Sequence, residues 1–367
     1  MEIERARLAR WLAGVEAPAE PWTSDAHAEL LVRAAQSEGV VCLLERAVRG
    51  LHGEAANGRW LHELRLVARQ EVLGSMRMES EYRRVIELLC ANGVAPLVLK
   101  GSALAYWAYP EPHLRACGDL DLLVSSRDEA ERVVELLAGL GYRYLEAPGT
   151  LTTSALMCIG GISPEWSLEV DIHWRLNHSA VFASALGFDE LMASSIALPR
   201  LAPGARGLGP AHAMLHAAVH RARNLENGVG DLLKWLYDFV ALGRCFSRAD
   251  WDMLLTLAAQ KELAGVTLNA LEAAKAVLAT PIPEDVLTRL RGLANQESLD
   301  AARLGDWRYM QRQAWKALPG TRARLRWVWQ RLFPGAEYLR QAYGMEGSYP
   351  VLLRERLRRF WLKWRSQ

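Results

Sequence analysis

Apolar side chains between Glu2 and about Asn92 recur at steps of three and four, most regularly from Trp60-Leu-His-Glu-Leu-Arg-Leu-Val to Leu89. That spacing predicts amphipathic helices, and Asn92-Gly93 supplies the stop, glycine being common just past a helix end. The period then shortens. Pro96-Leu-Val-Leu-Lys100 and Asp119-Leu-Asp-Leu-Leu-Val124 are apolar runs of strand length, with a helix expected from Gly101 to about Ala108 between them. Arg127 to Leu140 is amphipathic, and Tyr142 to Leu145, Thr152 to Cys158 and Ser167 to Trp174 are further strand candidates. After Asn177 the helical period returns in Pro210 to Arg223, Asp231 to Leu242, Trp251 to Gln260 and Leu263 to Leu278. The breaks there are Pro281-Ile-Pro283 and Phe333-Pro-Gly335.

The expectation is an α+β chain with a helical amino-terminal part (1–92), a small α/β core (93–178) and a larger helical carboxyl-terminal part (179–367). A length of 367 residues suits two or three packed units. The formal charge of +2 argues for neither nucleic acid nor membrane. Its distribution changes the picture, because the last 65 residues hold a large Arg excess among Trp307, Trp315, Trp327, Trp329, Trp361 and Trp364. Such a tail can bind single-stranded nucleic acid or lie on an anionic membrane. The reading preferred on the pattern alone is a Trp/Leu helical core with Arg in water, so nucleic acid is not favoured as a partner. Five scattered cysteines without a CxxC pair indicate neither a disulfide framework nor a thiolate zinc site. Met1-Glu-Ile-Glu-Arg lacks the basic and apolar runs of a secretory signal, and no apolar stretch reaches ~18 residues, so a cytoplasmic protein without a transmembrane segment is expected.

Three stretches carry candidate chemistry. Asp119 and Asp121 flank Leu120 on a strand, so both carboxylates face one way, about 6.6 Å apart at a rise of ~3.3 Å per residue. Like charges so close favour a divalent cation, and Mg²⁺ (or Mn²⁺) suits carboxylate oxygens shared with substrate phosphates. The plain alternative is an exposed Asp-x-Asp on an edge strand. Lys100-Gly101-Ser102 stands at a strand-to-helix junction, where glycine admits a close approach and free N–H groups can meet phosphate oxygens. An ordinary helix start would look the same. In Leu168-Glu-Val-Asp-Ile-His-Trp174, alternation puts Glu169, Asp171 and His173 on one face. Asp171 is preferred over Glu169 as a third carboxylate, serving as metal ligand or general base, against a merely solvated face. His212, His216 and His220 stack along one helix face and read as packing, with one of them near the cleft, rather than as zinc ligands. Asp231 and Asp238 either partner basic groups or cap and solvate their helix.

A Gly-Ser turn, an Asp-x-Asp strand and a single acid on a later strand resemble the DNA polymerase β-like nucleotidyltransferase superfamily. More narrowly, Leu99-Lys-Gly-Ser, Tyr109-Pro, Arg115, Asp119-Leu-Asp-Leu-Leu-Val and Val170-Asp-Ile-His-Trp look like its bacterial uncharacterised nucleotidyltransferase family. So do His216-Ala-Ala-Val-His220, Leu233-Lys-Trp-Leu-Tyr-Asp238 and Arg331-Leu-Phe-Pro with Glu337-Tyr-Leu-Arg340. The resemblance implies a mixed-sheet palm, Mg²⁺ dependence and transfer of an NMP from an NTP to an acceptor hydroxyl on a small molecule, peptide or sugar. It places Gly101 and Ser102 at the triphosphate, Asp119 and Asp121 on metal, and Asp171 as the third carboxylate. Lys100 and Arg115 would stabilise phosphate or charge, and an extended loop from Tyr109 to Gly118 must fold between turn and acids. The rival readings are an Asp-x-Asp glycosyltransferase using a sugar nucleotide and a non-catalytic binding protein of the same fold.

Overall fold

The structure, a computed structural model, describes residues 2–14, 25–49, 59–145, 155–163, 166–177, 179–183 and 185–365. Helices α1 (Glu2–Leu12), α2 (Asp25–Glu38), α3 (Val41–Val48) and the long α4 (Arg59–Ala91) lead into strand β1 (Leu97–Val98). Then come α5 (Lys100–Leu104), β2 (Asp119–Leu123), α6 (Arg127–Ala138), β3 (Arg143–Leu145), β4 (Ala155–Ser163) and β5 (Trp166–His173). The expected strand from Thr152 thus begins at Ala155; residues 152–154 lie outside the described ones. Beyond β5 stand α7 (Phe188–Ala193), β6 (Ile196–Ala197), β7 (Arg206–Gly207), α8 (Pro210–Glu226), α9 (Leu233–Cys245), α10 (Arg248–Gln260), α11 (Ala264–Leu278) and α12 (Glu284–Ala294). The tail is α13 (Trp307–Ala317), α14 (Gly320–Leu332), α15 (Ala336–Tyr343) and α16 (Tyr349–Arg365). The fold is α+β.

One mixed sheet runs β3-β4-β5-β2-β1-β7-β6. β2 lies parallel to β5 and antiparallel to β1, and β7 extends the sheet parallel to β1. The pairing of β6 and β7 was not legible in the pattern, because two-residue strands carry no period. The helix expected from Gly101 to about Ala108 is also shorter, ending at Leu104 before turns.

Alternation sorts the two faces of the sheet. Leu120, Leu122, Val170 and Ile172 are fully buried against Val85, Ile86 and Leu89 of α4 and Val133 and Leu137 of α6. A fully buried side chain of this size contributes about 1.5–3 kcal/mol. The acids between them therefore face the other way. A second hydrophobic cluster joins Leu8, Trp11, Leu44 and Trp60 of the first helices to Leu215, Phe239, Leu254 and Leu271 of α8–α11, and reaches Leu97 and Leu123 of the sheet. The first helices and α8–α11 thus share one core. Glu38 reinforces this join, accepting from Arg5 Nε at 2.9 Å and from the backbone N–H of Leu233 at 2.7 Å. The latter contact satisfies an otherwise orphan donor at the start of α9.

Candidate active site

β2 and β5 run in register, with Asp119 opposite Glu169 and Asp121 opposite Asp171. Parallel neighbours lie about 4.8 Å apart, so Asp121 and Asp171 stand side by side on the face away from the α4 core. Tyr82 of α4 donates to the Asp119 carbonyl at 2.7 Å and fixes the start of β2. Asp121 is 1% exposed. It accepts from Lys100 Nζ, and its Oδ1 lies 3.1 Å from His173 Nε2.

These surroundings split the three acids. Burial works to raise the Asp121 carboxyl, but the Lys100 ammonium and His173 outweigh it and hold it well below the usual range. Asp171 is pushed up to about 6 by burial and then by the Asp121 charge. Asp119 is raised for the same two reasons, in the same order. Burial would lower Lys100, but Asp121 more than compensates and raises it.

Ligand atoms of Asp121, Asp171 and His173 lie within 4.8 Å of one another, which makes them, among the described residues, a group able to hold a metal ion. The donor set fits a divalent cation: two adjacent carboxylates carry a like-charge burden that such an ion relieves. The compact group contains His173, where the sequence reading had Asp119. Alternation puts His173 on this face, but the pattern alone does not mark it as a ligand.

Lys100 leads from β1 into α5 with a φ of 51°, left-handed backbone that a residue with a side chain adopts at a cost of about 1 kcal/mol or more. Gly101 follows. A Cβ there would stand 2.8 Å from the Arg115 guanidinium carbon, so the position has no room for a side chain. Ser102 departs from expectation. It is 2% exposed, and its hydroxyl donates to the Leu99 carbonyl at 2.9 Å instead of forming the cleft wall.

Arg115 borders the cleft and also makes a buried ion pair. Its Nε and Nη2 donate to the two oxygens of Asp238 at 2.7 and 2.8 Å, and its Nη1 donates to the Ala116 carbonyl. Tyr109 adds an O–H bond to Asp238 at 2.8 Å. The guanidinium is therefore held in a buried ion pair that fastens the Tyr109–Gly118 loop to α9, with three of its five N–H donors engaged and the side chain bordering the cleft. Asp231 likewise holds Arg221, through two contacts of 2.7 Å, so both acids left open by the sequence partner arginines.

The cleft in front of Asp119 and Asp121 is walled by Lys100, Gly101 and the loop residues Arg115 to Gly118 on one side. His216 and His220 of α8 and Lys234, Trp235 and Asp238 of α9 form the other side. Two histidines, not one, thus reach it. Burial and the nearby Lys100 charge lower both to about 3, so they stay neutral at physiological pH. His212 turns elsewhere, to Ser194 and Glu190. Lys234 is the cation that the sequence reading missed. Among the described residues it makes no ion pair, and burial and Arg115 lower its pKa. Its aliphatic stem crosses Gly39, where a Cβ would meet Lys234 Cδ at 2.5 Å. The only advance signal was the Leu233-Lys-Trp stretch itself.

A model of the family described as uncharacterised nucleotidyltransferase matches residues 24–279, a span that includes every wall of this cleft. Comparison with curated proteins gives no match.

Proposed function

From the membership of this chain in the uncharacterised nucleotidyltransferase family, we propose a divalent-cation-dependent enzyme that moves an NMP from an NTP to an acceptor hydroxyl. The observation that carries the reading is the lateral pairing of Asp121 with Asp171 on parallel strands, where Asp121 and Asp119 line a cleft shared with Gly101 and Lys234. Asp121, kept ionised by Lys100 and His173, is suited to hold Mg²⁺ or Mn²⁺. Asp171 and Asp119 complete the acidic face. Bound there, the cation would neutralise developing charge on the phosphates.

The residues of the chain supply the rest. The acceptor oxygen forms its bond to the α-phosphorus, the bond to the β-phosphate oxygen breaks, and pyrophosphate leaves. The hydroxyl proton passes to Asp171, the carboxylate beside Asp121 on the neighbouring strand. Lys234, which pairs with no carboxylate among the described residues, receives the anionic phosphates, while Trp235 and the neutral His216 and His220 offer surfaces without competing charge. Gly101 lets the Arg115 guanidinium pack against the turn at the cleft edge.

The test is transfer of label to acceptor pools from NTPs carrying ³²P at the α or the γ position, with Mg²⁺ or Mn²⁺. Label from the α position alone supports the reading. Label from the γ position alone means phosphoryl transfer, release of UDP or GDP from a sugar nucleotide means a glycosyltransferase, and no effect of any nucleotide on thermal stability leaves a non-catalytic binding fold.

A further inference from the structure

The tail has a composition unlike the rest of the chain. Residues 307–367 contain 14 basic and three acidic side chains, a net +11, which leaves −9 on residues 1–306. This segment lies wholly beyond the family match at 24–279, so the cleft chemistry does not account for it. A helical core of Trp and Leu was expected here. Part of that exists: Tyr309, Met310 and Ala314 of α13 are buried, as are Leu339 and Leu352. Arg331 also stacks on Trp327, 3.6 Å from its centroid.

The outward faces differ. α14 has no buried residue, and Arg322, Leu325, Arg326, Trp329 and Leu332 are exposed at helical spacing along it, with Phe333 following. Leu325 is 70% and Trp329 63% exposed, and the Trp329 and Phe333 rings stack with centroids 4.5 Å apart. On α16, Val351, Arg354, Leu357, Arg358, Trp361 and Leu362 repeat the arrangement. No helix of the described residues is long and apolar enough to cross a membrane.

We propose that α14 and α16 dock the protein onto an anionic lipid surface, with Leu and Trp side chains entering the headgroup boundary and arginines contacting lipid phosphates. Exposed helices that carry Trp and Leu for the headgroup boundary and Arg for lipid phosphates have the chemistry that an anionic lipid surface attracts. Single-stranded nucleic acid also pairs with Arg and aromatic rings, by stacking on ring faces. Here, however, Leu325, Leu332, Val351, Leu357 and Leu362 are aliphatic and have no ring face to offer a base; acyl chains are what such groups contact favourably. Charge orients the molecule as well. The −9 body is repelled by the surface that attracts the +11 tail, so the body stands off the lipid. The proposal is independent of the chemistry assigned to the cleft.

Flotation of the full chain with vesicles of phosphatidylcholine alone, or doped with phosphatidylglycerol, tests it. The protein should float with the anionic vesicles only, release at high salt, and shift its tryptophan emission to the blue. Leu325→Ser with Trp329→Ser should keep circular dichroism and melting temperature, since both positions are exposed, yet bind about tenfold or more weakly, as expected for lost apolar burial. Arg322→Glu with Arg326→Glu should abolish flotation with the same fold. Absence of flotation, or unchanged flotation of the Leu325/Trp329 variant, overturns the proposal. Tight binding of a single-stranded oligonucleotide without vesicle binding makes the face a nucleic-acid site instead. A dimer that becomes monomeric in that variant, without vesicle binding, makes it a contact between copies.

Discussion

Converting Asp238 to Asn tests the buried ion pair that Arg115 makes in the cleft wall. Arg115 is 7% and Asp238 5% exposed, and three hydrogen bonds converge on the carboxylate from Arg115 and Tyr109. Burial would lower the Arg115 pKa, yet Asp238 holds it well above its ordinary value, so the guanidinium stays charged whatever becomes of its partner. Asp238→Asn leaves that charge buried without a counter-charge, at a cost of about 3–5 kcal/mol. For a chain of this length, 1 kcal/mol moves the melting temperature by about 1.3 °C, so a fall of about 4–6 °C is expected in differential scanning calorimetry. Arg115→Met should cost a similar amount through the stranded Asp238. The combination of Arg115→Met and Asp238→Leu should cost less than the two single losses added, because neither charge is then left alone. Losses below about 1 kcal/mol in the single variants, or strict additivity in the double one, would refute a buried pair of this kind.

Other expectations follow from the same geometry. Asp121→Asn should abolish any divalent-dependent stabilisation by nucleotide and reduce transfer about a hundredfold or more, measured by calorimetric titration and label transfer. Because Asp171 titrates near 6 and a cation needs it deprotonated, divalent affinity should hold above that pH and fall about tenfold per unit below it; Mn²⁺ titration at several pH values checks this. Folded-state depression of His216 makes stability present above about pH 6.5 and lost as pH falls below it, by at most ~1.4 kcal/mol per pH unit, with His220 acting in the same direction. Denaturant melts between pH 5 and 7 measure that slope. Gly101→Ala should displace the Arg115 guanidinium, lowering both melting temperature and nucleotide affinity.

Much of this arrangement was legible in the sequence because it is local. Alternation in Asp119-Leu-Asp-Leu-Leu and Leu168-Glu-Val-Asp-Ile-His fixed which side chains enter the α4 core and which do not. What escaped depends on contacts between distant positions. Nothing near Lys234 says that it borders Asp119, more than a hundred residues earlier, and nothing near Arg115 reveals that Asp238 will claim its donors. β6 and β7 were invisible for a different reason: each is two residues long and owes its existence to an open sheet edge beside β1. Ser102 misled because a hydroxyl in that turn can serve either a ligand or the Leu99 carbonyl, and only the backbone decides.

The carboxylate of Glu38 ends α2, yet it terminates the first turn of a helix almost two hundred residues later, and Gly39 beside it leaves the channel through which Lys234 passes. Shortening the protein to its sheet would therefore do more than expose apolar surface. It would unpin the far jaw of the cleft, and a fragment starting at residue 93 should fold poorly and grip anions weakly even with every acid intact. Helices α1 to α3 are, in mechanical terms, the post against which that jaw is braced.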